Sequence, residues 1–151
     1  YMNLILLSGG SGKRLWPLSN DIRSKQFIKL FKDDNGNYES MVQRVYRQIT
    51  TVNPMVKVTV ATSKNQVSVI KSQLGEKINI CVEPSRRDTF PAILLAAAYI
   101  HYELGIGVEE CIAVCPVDPY VDNDYYKCVG ELENLVEAGT ANLTLMGIKP
   151  T

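Results

Sequence analysis

The segment Ser8-Gly9-Gly10-Ser11-Gly12-Lys13-Arg14-Leu15 follows directly on the apolar run Asn3-Leu4-Ile5-Leu6-Leu7. A short apolar strand that empties into a glycine-rich, doubly basic loop is a place to hold phosphate. Glycines let the backbone approach an anion closely, and successive N–H groups form a concave nest around it. Lys13 and Arg14 add positive charge beside that nest, and Lys25, within Arg23-Ser24-Lys25-Gln26-Phe27, adds a third basic anchor. Counting excludes two common phosphate loops. A P-loop needs Gly, four residues, then Gly-Lys-Ser/Thr. With Gly12-Lys13 as its second half, Leu7 takes the first glycine's place and Arg14 takes the hydroxyl's. Gly10-Ser11-Gly12-Lys13-Arg14 begins a dinucleotide fingerprint, but Leu15 stands at its third glycine. On these residues alone a plainer reading stays open: a glycine-rich turn with solvated lysine and arginine.

The elements that must position this loop alternate. Short apolar or β-branched runs at 3–8, 56–61, 78–82, 111–115 and 143–148 read as strands. Helical spacing marks 40–50, through Met41, Val42, Val45, Tyr46 and Ile49, and 66–74, through Val67, Ile70 and Leu74. Thr89 is placed to cap a helix that runs to about Leu104; it is apolar on most faces, which predicts a central, well-covered position. An amphipathic helix over 124–138 ends near Gly139, and the polar stretch 32–37, with Asp33, Asp34 and Gly36, is the clearest exposed turn. This alternation predicts an α/β fold, a mostly parallel sheet with helices on both faces and right-handed crossovers.

In a parallel sheet the strand C-termini emerge at one edge, where ligands bind. Three loops meet there: 9–25 after the first strand, Glu83-Pro84-Ser85-Arg86-Arg87-Asp88-Thr89 after the third, and Pro116-Val117-Asp118-Pro119-Tyr120 after the fourth. Asp118, a lone carboxylate closing an apolar strand, suits Mg²⁺, which takes one or two protein carboxylates and completes its shell with water and substrate phosphates. The competing reading of Asp118 is an exposed turn residue between Val117 and Pro119. The single histidine, His101, lies in the apolar helix and reads as structural, and no Ser-His or Cys-His pair is evident. The edge is therefore equipped for positioning and charge neutralisation, which is most of what phosphoryl and nucleotidyl transfer require.

Composition narrows the class. At 151 residues the chain suits one domain, with 46% hydrophobic and 21% charged residues. Lys+Arg 16 balance Asp+Glu 16, which argues against a nucleic-acid or anionic-membrane surface, so phosphate affinity must come from local clusters. No apolar stretch reaches the roughly 20 residues of a membrane span, and the N-terminal run lacks the lead-in of a signal peptide; a cytoplasmic address is expected. Cys81, Cys111, Cys115 and Cys128 match no common zinc spacing and read as small buried hydrophobes in a reducing compartment.

Gly9-Gly10-Ser11-Gly12-Lys13-Arg14-Leu15-Trp16-Pro17-Leu18 resembles the signature of the sugar-1-phosphate nucleotidyltransferases. Lys25-Gln26-Phe27, Glu83-Pro84-x-x-Arg87-Asp88-Thr89-x-Pro91-Ala92-Ile93 and Gly147-Ile148-Lys149-Pro150-Thr151 narrow the resemblance to the bacterial mannose-1-phosphate guanylyltransferases. It implies a Rossmann-like sheet of the nucleotide-diphospho-sugar transferase type and transfer of GMP from GTP to mannose 1-phosphate, with Mg²⁺. It also implies roles. The backbone of Leu7, Gly9 and Gly10 would hold the guanosine and Ser11, Gly12, Lys13 and Arg14 the triphosphate. Arg14 and Lys25 would act on the phosphates, Glu83, Arg87, Asp88 and Thr89 would line the base and ribose, and Asp118 would bind the metal. The chain departs from the family in three places. Ser24 replaces the usual Pro, which is expected to loosen that loop. Asp88 replaces Asn, and Val117-Asp118-Pro119 replaces Ala-Asp-His. The family's domain continues beyond residue 151, so the chain is expected to be a truncated, nucleotide-binding part with little activity of its own, from a protein with room to be a homo-oligomer. Two other readings stay open: UTP or dTTP with glucose 1-phosphate, and a non-catalytic nucleotide-sugar-sensing subunit.

Overall fold

The computed structural model describes residues 2–10, Pro17, Ser19 and 24–149. Its centre is β1 (Asn3–Leu7), flanked by β4 (Lys57–Ser63) and β6 (Ile112–Pro116), with β5 (Asn79–Glu83) beyond β4. The order is β5-β4-β1-β6 and every pairing is parallel. Asn3 of β1 pairs with Lys57 on one side and Ile112 on the other. A strand paired on both sides and covered on both faces reads as a continuous apolar run, which is why 3–7 shows no polar alternation.

Side chains of β1 still leave in opposite directions. Leu4 and Leu6 join Val58, Val60 and Cys115 in the larger core, and Ile5 joins Ala61 and Cys81 in the smaller one. Each of these three β1 residues is at most 1% exposed, a burial of about 1.5–3 kcal/mol per side chain. The larger core is closed by α1 (Met41–Val52), α2 (Val67–Leu74) and α4 (Asn123–Glu137), through Val42, Val45, Ile49, Ile70, Tyr126 and Val129. A capping box starts α1: the Ser40 hydroxyl accepts from the Gln43 N–H, and the Gln43 side chain accepts from the Ser40 N–H. The smaller core has one helix, α3 (Thr89–Tyr102), seated through Ala92, Ala96 and Ile100. A two-residue antiparallel hairpin, β2 (Phe31–Lys32) with β3 (Tyr38–Glu39), brackets the predicted turn at 32–37.

Four expectations are corrected. Residues 143–148 form no strand, and Leu143, Leu145 and Ile148 are exposed. Strand propensity needs a ladder partner, and this segment is tied to α4 instead, by the Thr144 hydroxyl donating to the Leu132 carbonyl and by Met146 against the larger core. The α3 helix is not well covered. It packs on β5, β4 and β1, but on its outer flank Phe90 is 73% and Leu94 60% exposed. Its N-cap is Asp88 rather than Thr89, which is already helical. All four cysteines are free, but only Cys81 and Cys115 are buried; Cys128 lies on the exposed side of α4.

Candidate active site

Parallel pairing sends the ends of β1, β5 and β6 to one edge, and two contacts show the loops there converging. A Cβ placed on Gly9 would stand 3.0 Å from the Glu83 carboxylate oxygen Oε1, so the β5 end reaches across β4 to the glycine loop. Gly9 is needed for that close approach. The Lys25 Nζ lies 3.8 Å from Asp118 Oδ2, which joins the segment after the glycine loop to the turn after β6. The Asp118 side chain is 57% exposed and Lys25 26%. A pair this open contributes little to stability; what it records is position. A cation and an acceptor of cations stand together at the mouth of a glycine loop.

The lysine is aimed by buried amides. Residues Lys25–Phe27 form a single 3-10 turn. Gln26, 1% exposed, donates from Nε2 to the carbonyls of Ser8 and Gly10, both at 2.9 Å. This draws two carbonyls of the glycine loop inward, and a planar peptide then turns the Gly9 N–H the other way. Gln66, in the 3-10 turn Lys64–Gln66 after β4, donates to the Gly10 carbonyl at 3.3 Å and to the Ser24 hydroxyl at 3.1 Å. The Thr62 hydroxyl donates to Gln66 Oε1 at 2.6 Å. Gln73 of α2 donates to the Phe27 carbonyl at 2.9 Å. Ser24 itself is 2% exposed and hydrogen-bonded, and its backbone (φ −70°, ψ 150°) is extended; the loop before it, expected to be loosened by this residue, lies largely outside the described residues.

The turn that carries Asp118 is held from α1. Arg44 and Gln48 both donate to the Val121 carbonyl, at 3.0 and 2.9 Å. The Arg44 guanidinium lies 4.2 Å from the Tyr120 ring centroid, and the Phe31 ring lies tilted beside the same tyrosine, with centroids 5.5 Å apart. Asp122 then caps α4 by accepting from the N–H groups of Asp124 and Tyr125. At the β5 end, Arg87 donates from Nε to the Ser85 hydroxyl at 3.3 Å. Asp88 has φ 67° and ψ −168°, a conformation almost reserved for glycine. Glu83 is half-buried, while Arg86, Arg87, Asp88 and Thr89 are exposed at the mouth.

Thiol chemistry at this edge is disfavoured. Burial raises the Cys81 thiol, and the nearby Glu83 carboxylate raises it further. Burial pushes Cys115 up to about 11. The His101 Nδ1 lies 2.7 Å from the Ile106 carbonyl, a structural tie closing the end of α3. Among the described residues no group of three or more His, Cys, Asp or Glu could hold a metal.

Of the residues singled out from sequence, the structure gathers Leu7, Gly9, Gly10, Lys25, Glu83, Arg87, Asp88, Thr89 and Asp118 at one edge. Ser11, Gly12, Lys13 and Arg14 lie outside the described residues. Sequence reasoning missed Ser24, Thr62, Gln66 and Gln73 as parts of the site. One signal existed: Gln66 precedes Ile70 and Leu74 at four-residue steps, which sets a polar amide on a buried stripe.

The family model described as nucleotidyl transferase matches residues 3–150. A mannose-1-phosphate guanylyltransferase of Escherichia coli is 32% identical over 97% of this chain, which spans 31% of that protein. The xanthan biosynthesis protein XanB of Xanthomonas campestris is also 32% identical, over 97% of the chain and 30% of its own length. The chain thus spans about a third of the length of these curated relatives. A crystal structure of a mannose-1-phosphate geranyltransferase from Thermus thermophilus superposes with TM-score 0.73 at 29% identity, over 91% of this chain and 39% of that one. A Helicobacter pylori mannose-6-phosphate isomerase structure, at 20% identity and TM-score 0.62 over 91% of this chain and 47% of that one, shares the fold.

Proposed function

The chain belongs to the nucleotidyl transferase family, and from that premise we propose that residues 1–151 form the nucleotide-binding part of an enzyme that transfers GMP from GTP to mannose 1-phosphate. The observation that carries this reading is the 3.8 Å approach of Lys25 to Asp118 beside the glycine loop. An oxygen of the sugar phosphate attacks the α-phosphorus of GTP. The new O–P bond forms as the bond from the α-phosphorus to the β-phosphate's bridging oxygen breaks, and that electron pair leaves with pyrophosphate. The attacking phosphate is already ionised, so no general base is needed and the protein's task is to position and neutralise charge.

In this reading the backbone of Leu7, Gly9 and Gly10 faces the guanosine, and Ser11, Gly12, Lys13 and Arg14 serve the triphosphate. Arg14 offsets charge on the transferring and leaving groups. Lys25 holds the α-phosphate or the sugar phosphate, and Glu83, Arg87, Asp88 and Thr89 line the base and ribose. Asp118, a single exposed carboxylate close to a phosphate-binding lysine, fits Mg²⁺, which accepts few protein ligands and keeps room for phosphate oxygens. Bound there, Mg²⁺ would supply Lewis-acid stabilisation of the phosphates.

The test is product analysis on the full-length protein with GTP, mannose 1-phosphate and magnesium. GDP-mannose and pyrophosphate are expected, with loss of both on chelation. Preferential turnover of UTP or dTTP with glucose 1-phosphate would overturn the choice of base and sugar. Residues 1–151 alone are expected to bind GTP weakly without turnover; synthesis at the full-length rate by that segment would refute this part.

A further inference from the structure

The glutamine at 66 has no role in the chemistry above. It comes from outside the two loops and hydrogen-bonds both the glycine loop and the segment leading into Lys25. It is 7% exposed, and its amide is fixed in orientation. The Gly10 carbonyl only accepts, so Nε2 must face the loop, and Thr62, fully buried, donates its hydroxyl proton to Oε1 behind it. Nε2 then reaches the Gly10 carbonyl and the Ser24 hydroxyl, one residue before Lys25. The Gly10 carbonyl already receives Gln26 from the turn that contains Lys25.

We infer that Thr62, Gln66 and Ser24 form a latch that fixes the glycine loop relative to Lys25, making Gln66 and Ser24 positioning residues for the nucleotide's phosphates. Two physical points support it. First, a carbonyl oxygen facing the ligand side would repel phosphate, and the two amides hold the Gly10 oxygen away from it. Second, Gln26 ties the glycine loop to the 24–27 turn, and Gln66 ties both of them to the end of β4 by way of Thr62. Without Gln66, the distance between the nest and the lysine rests on Gln26. Effective positioning of two anchors on one anion is lost with displacements of about 1 Å.

The latch rests on the reading of the site as a nucleoside triphosphate site, and the test separates the two. GTP affinity and steady-state constants are measured for the full-length protein, for Gln66→Leu, for Ser24→Ala and for the double variant. Gln66→Leu is expected to weaken GTP binding about tenfold and Ser24→Ala about threefold to tenfold. The double variant should be no weaker than Gln66→Leu, since both break one unit. With Lys25 on the nucleotide's α-phosphate, the KM for nucleotide should rise while the KM for sugar phosphate stays within about twofold; a merely structural change would move both. Gln66→Leu binding GTP as tightly as wild type, or losses that multiply in the double variant, would overturn the latch. Should Gln66→Leu fail to fold, Ser24→Ala, which removes one oxygen, decides by itself, and wild-type affinity in it overturns the proposal. Wild-type protein that binds no nucleoside triphosphate refutes the functional reading instead, and the latch's role falls with it.

Discussion

Gln26→Leu tests whether a buried amide, rather than the glycines themselves, shapes the loop. Leucine has nearly the volume of glutamine, so packing is kept and only hydrogen bonds are lost. The Ser8 carbonyl, in a residue 1% exposed, loses its donor at 2.9 Å; a buried acceptor left without a partner costs about 1–3 kcal/mol. The Gly10 carbonyl loses one donor but keeps Gln66, a loss of about 1 kcal/mol. Against this, the variant removes Gln26 Oε1, itself a buried acceptor without a partner among the described residues, and recovers about 1 kcal/mol. The net expectation is about 2 kcal/mol, felt first as local opening of the β1 end rather than global unfolding. Hydrogen exchange on a peptide covering residues 2–10 should therefore speed up by about 30-fold, since every 1.4 kcal/mol is about tenfold. Exchange within about twofold of wild type would refute the claim that Gln26 holds those carbonyls.

Three shorter predictions rest on the same geometry. Gly9→Ala places a methyl 3.0 Å from Glu83 Oε1; the flexible carboxylate should swing away, so melting shifts by less than about 2 °C while nucleotide affinity drops severalfold, read by titration calorimetry. Asp88→Gly relieves a backbone with φ 67° and should raise stability by about 1 kcal/mol in denaturant titration; lowered stability would mean that the aspartate side chain outweighs the strain of its position. Thiol titration with a maleimide at pH 8 should modify exposed Cys128 first and leave Cys115, buried and pushed up to about 11, unreacted until the protein unfolds; fast labelling of Cys115 would contradict the packing of the larger core.

How much of this could be read from the chain depends on whether the cause was local. The four sheet strands and four helices announce themselves through periodicity, and parallel pairing alone brings Gly9, Glu83 and Asp118 to one edge. The segment 143–148 shows where that logic stops: its pattern is strand-like, but a strand is a relation to a partner, and here the partners are α4 and the larger core. The α3 helix fails in the same way, because being apolar on all faces says that cover is wanted, not that it is present. The effect of Ser24 is illegible locally because it depends on Gln66, 42 residues away. Buried amide contacts leave only faint marks on a sequence, such as one polar residue on an apolar stripe.

The register of β1 has a consequence for how the protein comes into being. Of the four sheet strands, the first to be made is an interior one, and its neighbours Lys57 and Ile112 are encoded far downstream. At about 5–20 residues per second, Asn3 waits several seconds for its first partner and about twice as long for its second. For that interval an oily five-residue segment has no ladder to join, and closing such long loops is slow. Of these four strands, β1 is thus made first and gains its second neighbour only when β6, the last of them, has emerged.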